Sequence, residues 1–155
     1  MTLNDEIIAY LTLNSIPWIV GDYETGQPAG EENQILYWSD VLGPQPTQAQ
    51  LDADYAVWSK AQSDKALYDS TIVSTQNRLD TFAKTRGYDG ILSACSYVGS
   101  PTAKFDTEGQ YCVSARDATW VALIQYQQGV EAGTIPVPAT YDDVVPYLPP
   151  LVWPA

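Results

Sequence analysis

From Gln48 to Arg86 the chain contains neither glycine nor proline. Gly43-Pro-Gln-Pro-Thr47 precedes this run as a breaker followed by an N-cap, and Gly87 follows it as a C′ residue. The pattern predicts one helix of ~39 residues, ~58 Å long at 1.5 Å per residue. That is far above the mean globular helix, and a helix of this length needs a partner. With Leu51 at heptad position a, the a positions are Leu51, Trp58, Lys65, Ile72 and Leu79. The d positions are Asp54, Ala61, Tyr68, Thr75 and Phe82. Leu51, Trp58, Ala61, Tyr68, Ile72, Leu79 and Phe82 thus form an apolar seam, interrupted by Asp54, Lys65 and Thr75. This seam is the expected oligomer interface. The alternative is a helix that breaks near Ser70-Thr71 and packs on its own domain.

The fold class expected is mainly α with some β, in three regions. Residues 1–46 read as a short helix and a β-hairpin, residues 47–86 as the long helix, and residues 87–155 as a helical domain with an extended tail. In the first region Asn4 is the expected cap, with Asp5 and Glu6 in the first turn where the helix dipole favours anions. Pro17 ends that helix. Trp18-Ile-Val and Ile35-Leu-Tyr-Trp38 read as strands around the turn-rich Thr25-Gly-Gln-Pro-Ala-Gly-Glu. In the third region a short helix starts at Asp89 or Gly90 and ends near Gly99. A second runs from about Asp106 to Ala132, with Gly133 beyond it. Its expected core side is Tyr111, Cys112, Ala115, Ala118, Trp120, Val121, Leu123, Ile124 and Val130. Six of the eleven prolines follow Ile135. Thr140-x-x-Asp143 imitates a capping box and could start a helix from Tyr141 to Tyr147. The apolar tail Leu148-Pro-Pro-Leu-Val-Trp-Pro should be extended and docked, on its own surface or a neighbour's.

Charge narrows the possible partners. Nineteen acids against seven bases give a formal charge of −12, which argues against nucleic acid and against anionic membrane surfaces. The excess is uneven. The first region holds seven acids and no Lys or Arg, whereas the long helix balances five acids with five bases. The third region holds seven acids against Lys104 and Arg116 alone. No run approaches the ~18 apolar residues of a membrane span. Met1-Thr-Leu-Asn-Asp-Glu lacks the basic start of a secretory signal, so synthesis in the cytosol is expected.

Chemistry is sparse. The chain has no histidine, which removes Ser-His and Cys-His pairs and the usual imidazole acid or base. No nucleophile, nucleotide or metal motif is present, and no cofactor is expected. Counting an EF-hand loop from Asp22 puts Gln27 where Gly is required and Asn33 where Glu is required. A solvated acidic loop is the better reading there. Cys95 and Cys112 read as free thiols, with a bond between them as the lesser alternative. Trp18, Tyr37, Trp38 and Trp58 could stack on sugars if exposed. Arg116 and Trp120, four apart on a helix, could form a cation–π pair beside Asp117 and act as a structural anchor.

The strings Gln34-Ile-Leu-Tyr-Trp-Ser-Asp and Gly43-Pro-Gln-Pro-Thr-Gln-Ala-Gln-Leu51 resemble small bacteriophage and prophage tail proteins. Arg86-Gly-Tyr-Asp-Gly-Ile, Ala94-Cys-Ser-Tyr97, Phe105-x-x-Glu108 and Ala115-Arg-Asp-Ala-Thr-Trp120 continue it. Gly129-Val-x-x-Gly133, Pro138 and Leu148-Pro close it. Together they resemble the C-terminal domain of phage tail-fibre and tail-appendage proteins over roughly residues 34–153. The resemblance implies a virion structural role in the tail, not catalysis, with no ligand residues to carry over. It implies partners among other tail or fibre proteins and a homo-oligomer, a trimer being favoured. A fibre-assembly chaperone and a carbohydrate-binding module are the alternatives.

Overall fold

The structure, a computed structural model, describes residues 1–154. It is mainly α with one two-stranded antiparallel sheet. Two compact units divide inside the long helix, between Leu67 and Tyr68, rather than at its ends. The division follows burial, because each half of the helix buries its own side chains in a separate core.

In the N-terminal unit, helix α1 spans Leu3–Leu13. Its cap is Thr2, not Asn4: Thr2 and Asp5 bond reciprocally as a capping box. Asn4 sits inside the helix and accepts a hydrogen bond from the Tyr23 hydroxyl at 2.8 Å. Strand β1, Tyr23–Gly26, pairs with β2, Gln34–Trp38, with Tyr23 opposite Trp38 and Gly26 opposite Gln34. The expected hairpin forms, but Trp18-Ile-Val is not its first strand. Trp18 leads into a tight turn, 19–22, closed by Asp22, whose side chain accepts the Ile19 N–H at 2.8 Å and whose own N–H bonds Ile19 O. Ile7, Leu11, Leu42 and Leu51 form the core, with Tyr10, Tyr23 and Trp38 packed at its margin.

Helix α2 spans Gln48–Lys84 and is helical through Ser70 and Thr71. Thr47 caps it: its hydroxyl accepts the Gln50 N–H, and its own N–H donates to the Gln50 side chain. Gly87, at φ 86°, takes the left-handed conformation that closes the far end and bonds Lys84 O.

In the C-terminal unit, α3 spans Ile91–Cys95 and α4 spans Ala103–Glu131. Helix α4 begins three residues before the expected start. Asp106 is spared from capping it and instead accepts the Gly99 N–H at 2.7 Å, which fixes the preceding turn. Gly133 ends it as expected, at φ 69°. Two short 3-10 turns, Tyr141–Asp143 and Val145–Tyr147, replace the single helix expected there. Pro146 has no N–H to continue an α-helix.

The buried face of α4 is Glu108, Gly109, Cys112, Ala115, Thr119, Leu123 and Tyr126. Of the expected core side, Cys112, Ala115 and Leu123 are buried and Tyr111, Trp120 and Val130 half-buried. Ala118, Val121 and Ile124 face outward, contrary to expectation. Apolarity misassigned them because Thr119 enters the core by bonding its hydroxyl to Ala115 O at 2.8 Å. The tail is extended and packs Leu151 and Trp153 on its own unit. Among the described residues no helix is long and apolar enough to cross a membrane.

Candidate functional site

The seam of α2 is divided by the fold. Leu51 is sealed in the N-terminal core and Leu79 in the C-terminal one, and Phe82 stacks on Trp153. These three are therefore taken by intrachain packing, which corrects their assignment to an interface. The buried stripe near the C-terminal end is Thr71, Thr75, Leu79 and Ala83, one residue in every four. That spacing follows a ridge of a straight helix rather than the 3.5-residue repeat of a supercoil. Between the two cores the helix is open. Ala61 is exposed, Tyr68 is 45% exposed and Val57 60% exposed, with Trp58 and Ile72 half-buried. Val57 and Ala61 lie one helical turn apart in the N-terminal unit, and Tyr68 and Ile72 one turn apart in the C-terminal unit. Val57 lies outside the heptad positions and was not identified from them.

The predicted Arg116–Trp120 cation–π pair does not form. Arg116 donates to its neighbour Asp117 instead, from Nη2 at 3.0 Å and Nε at 3.2 Å. The exposed adjacent carboxylate offers a shorter reach than the ring. Trp120 is half-buried and packs against both apolar clusters of the C-terminal unit. The cation–π contact belongs to Arg86, whose guanidinium lies 5.2 Å from the centre of the Trp153 ring.

Arg86 also reaches Glu108, which the sequence strings include but to which no role was assigned. Glu108 is 3% exposed. It accepts hydrogen bonds from Arg86 Nη1 and, at 2.7 Å, from the Tyr88 hydroxyl. Burial alone would raise the Glu108 pKa. The Tyr88 and Arg86 hydrogen bonds and the Arg86 charge outweigh burial and hold it below the ordinary carboxylate value. Burial and the Glu108 bond push Tyr88 up to about 12. The tail closes over this cluster. Arg78 holds Pro149 O at 2.7 Å, Tyr111 accepts the Val152 N–H at 2.8 Å, and Trp153 Nε1 donates to Thr85 at 2.9 Å. This pair of a buried carboxylate and a surface guanidinium joins the end of α2 to α4, with the tail laid over it. Each Glu108 carboxylate oxygen accepts one of these bonds.

Other candidates are dispersed. Asp22 closes its turn and Glu31 accepts from Gln34. Among the described residues no three His, Cys, Asp or Glu side chains converge as metal ligands. Trp38 is half-buried and bonds Gly43 O through Nε1, while its neighbour Tyr37 projects from the opposite face of the strand and is exposed. Trp18 packs on Tyr23, which also contacts Trp38. Of the four aromatics considered for sugar binding, Trp18 and Trp38 are thus neighbours through Tyr23, whereas Tyr37 faces away and Trp58 pairs with Tyr55. Cys95 and Cys112 are free thiols, and burial pushes the Cys112 pKa up to about 11. Comparison with protein-family models, curated proteins and solved structures finds no match. Function is thus argued from the surfaces themselves.

Proposed function

We propose that this protein is a structural subunit of a bacteriophage tail, a small appendage or adaptor that acts through protein–protein contacts rather than catalysis. One observation carries the reading. The middle of α2 lies outside both intrachain cores, yet leaves Val57 and Ala61 exposed in the N-terminal unit and Tyr68 exposed in the C-terminal one. Exposed apolar side chains aligned on a helix are stabilised when a second helix covers them. The helix carries five acids and four bases, so copies can meet there with little net repulsion. The acidic flanking regions keep the assembled surface soluble and disfavour other contacts between copies. The ordered strings from Gln34 to Leu148 that resemble tail proteins support the setting.

The favoured assembly is a trimer joined along the middle of α2. Size-exclusion chromatography with light scattering should give three times the 17.0 kDa chain mass. Ala61→Asp with Tyr68→Asp should return it to a monomer with an unchanged circular dichroism spectrum. A wild-type monomer at every concentration removes the stem. Mass spectrometry of purified particles separates a tail subunit, present in stoichiometric amount, from an assembly chaperone, which is absent.

A further inference from the structure

Ile16 and Tyr23 both pack on the N-terminal core, and the chain between them projects from it. Pro17, Trp18, Ile19 and Val20 are consecutive and exposed, Ile19 at 72% and Val20 at 96%. The projection is fixed at both ends. Ser15 enters it in the left-handed region, at φ 54°, which a residue other than glycine keeps only where its surroundings impose it. Asn14 Nδ2 donates to Tyr10 O and to Asp54 at 2.9 and 2.8 Å, and the Ile16 N–H bonds Leu11 O at 2.9 Å. On the far side Asp22 closes the turn, and its carbonyl accepts the Ser39 N–H at 2.8 Å. The Trp18 ring lies 5.7 Å from that of Tyr23.

The N-terminal fold does not use the Ile19 and Val20 side chains. Its core is complete without them, and polar residues would close the same turn. A run of exposed apolar residues held in one place is unfavourable in water unless a partner covers it. The surrounding charge has one sign. Asp22 lies in the turn, exposed Glu24 follows on β1, and exposed Asp40 is the neighbour of Ser39. The whole unit, residues 1–67, carries ten acids and two bases. Both bases, Lys60 and Lys65, lie on α2, and Lys60 is paired with Asp64.

We infer that this turn is a plug that seats in an apolar socket of another protein, one whose rim carries lysine or arginine. Burial of Ile19 and Val20 supplies the affinity, and the carboxylates of Asp22, Glu24 and Asp40 select a cationic rim and speed the encounter. A fixed turn loses little freedom when it docks. A second copy is the poorer occupant, because both units are acidic: the C-terminal one holds nine acids against five bases. The same carboxylates disfavour an anionic membrane. The plug uses none of the residues through which α2 would associate, so either contact can fail without the other.

An amphipathic peptide of leucine and lysine, whose helix presents an apolar face rimmed by ammonium groups, serves as the probe. Fluorescence anisotropy measures its binding to the full chain. Comparison peptides replace lysine by glutamate or leucine by serine. The leucine–lysine peptide should bind, more weakly as salt is raised, and both replacements should lose most of the affinity. Ile19→Ser with Val20→Ser should weaken binding about tenfold. Glu24→Gln with Asp40→Asn should weaken it about threefold. Val73→Ser, at an exposed valine of the C-terminal unit, should leave it unchanged. All these side chains are exposed, so the variants should melt with the wild type. No binding of the leucine–lysine peptide, or equal binding of the glutamate peptide, overturns the proposal. So does unchanged affinity in the Ile19/Val20 variant, or an equal loss in Val73→Ser. Sedimentation of the wild type with phosphatidylcholine vesicles, with or without phosphatidylserine, would assign the turn to a membrane instead and equally overturn it.

Discussion

Trp153 lies nearly parallel to Phe82, with ring centroids 4.3 Å apart and 16° between the ring planes. This contact joins the end of the tail to the last turns of α2. Arg86 covers Trp153, and Thr85 accepts its indole N–H. Trp153→Ala removes the stacking area and the hydrogen bond from a half-buried site. The expected loss is about 2 kcal/mol, below the range for a fully buried tryptophan. In thermal unfolding the midpoint should fall by several degrees, and Trp153→Phe should recover part of the loss. A midpoint unchanged in the alanine variant would mean that the tail does not stabilise its unit.

Gly109 lies within α4, where glycine is otherwise unfavourable. A Cβ at this position would sit 2.8 Å from Val98 N and 2.9 Å from Tyr97 C. Both are backbone atoms and cannot rotate away. Gly109→Ala should therefore destabilise the protein by about 2 kcal/mol despite the better helix propensity of alanine. Urea titration of the two chains measures the difference. A more stable alanine variant would show that α4 does not approach the segment after α3 so closely.

Glu108 supplies a pH dependence. Its folded pKa is lowered, so the stability it contributes is fully present above the unfolded value of 4.5. That stability is lost as pH falls through the lower folded value. Asp106 and Asp143, held down by backbone N–H groups, act in the same direction. Comparison with Glu108→Gln isolates the buried acid. The variant should be less stable than wild type by about 2 kcal/mol at neutral pH. The gap should narrow in acid, once wild-type Glu108 is protonated. Denaturant curves at several pH values test this, and a gap independent of pH contradicts the assigned ion pair.

Tyr88 and Cys112 act at the opposite extreme. Their pKa values are raised to about 12 and about 11 from 10.0 and 9.0. The stability they contribute is complete below the unfolded values and is lost as pH rises through the folded ones. Unfolding free energy should thus decline from about pH 9 upward. Near neutral pH, a thiol reagent should label half-buried Cys95 before Cys112. Peptide mapping of partly labelled protein gives the order. Rapid modification of Cys112 in the native chain would be incompatible with its burial.

The sequence by itself determined both ends of the long helix and the end of α4. Pro46 and Thr47, then Gly87 and Gly133, act through one or two residues of backbone chemistry, which is legible without neighbours. The same holds for the hairpin turn and for a proline-rich apolar tail that must be extended and docked. Which face each helix buries was decided only by tertiary structure. Heptad counting joined Leu51, Ala61, Tyr68 and Leu79 in one seam, but two separate cores take Leu51 and Leu79 and leave Ala61 and Tyr68 open. Apolarity could not place Glu108 or Thr119 in the core, because their burial depends on partners distant in sequence or one helical turn away. Nor could local pattern show that Asp80, eleven residues upstream, accepts the first N–H of α3. The cluster over Tyr126 has the same origin. The prolines of that segment were visible in the chain, but only the return of the backbone across α4 packs Val144 and Leu148 on Leu123 and Tyr126.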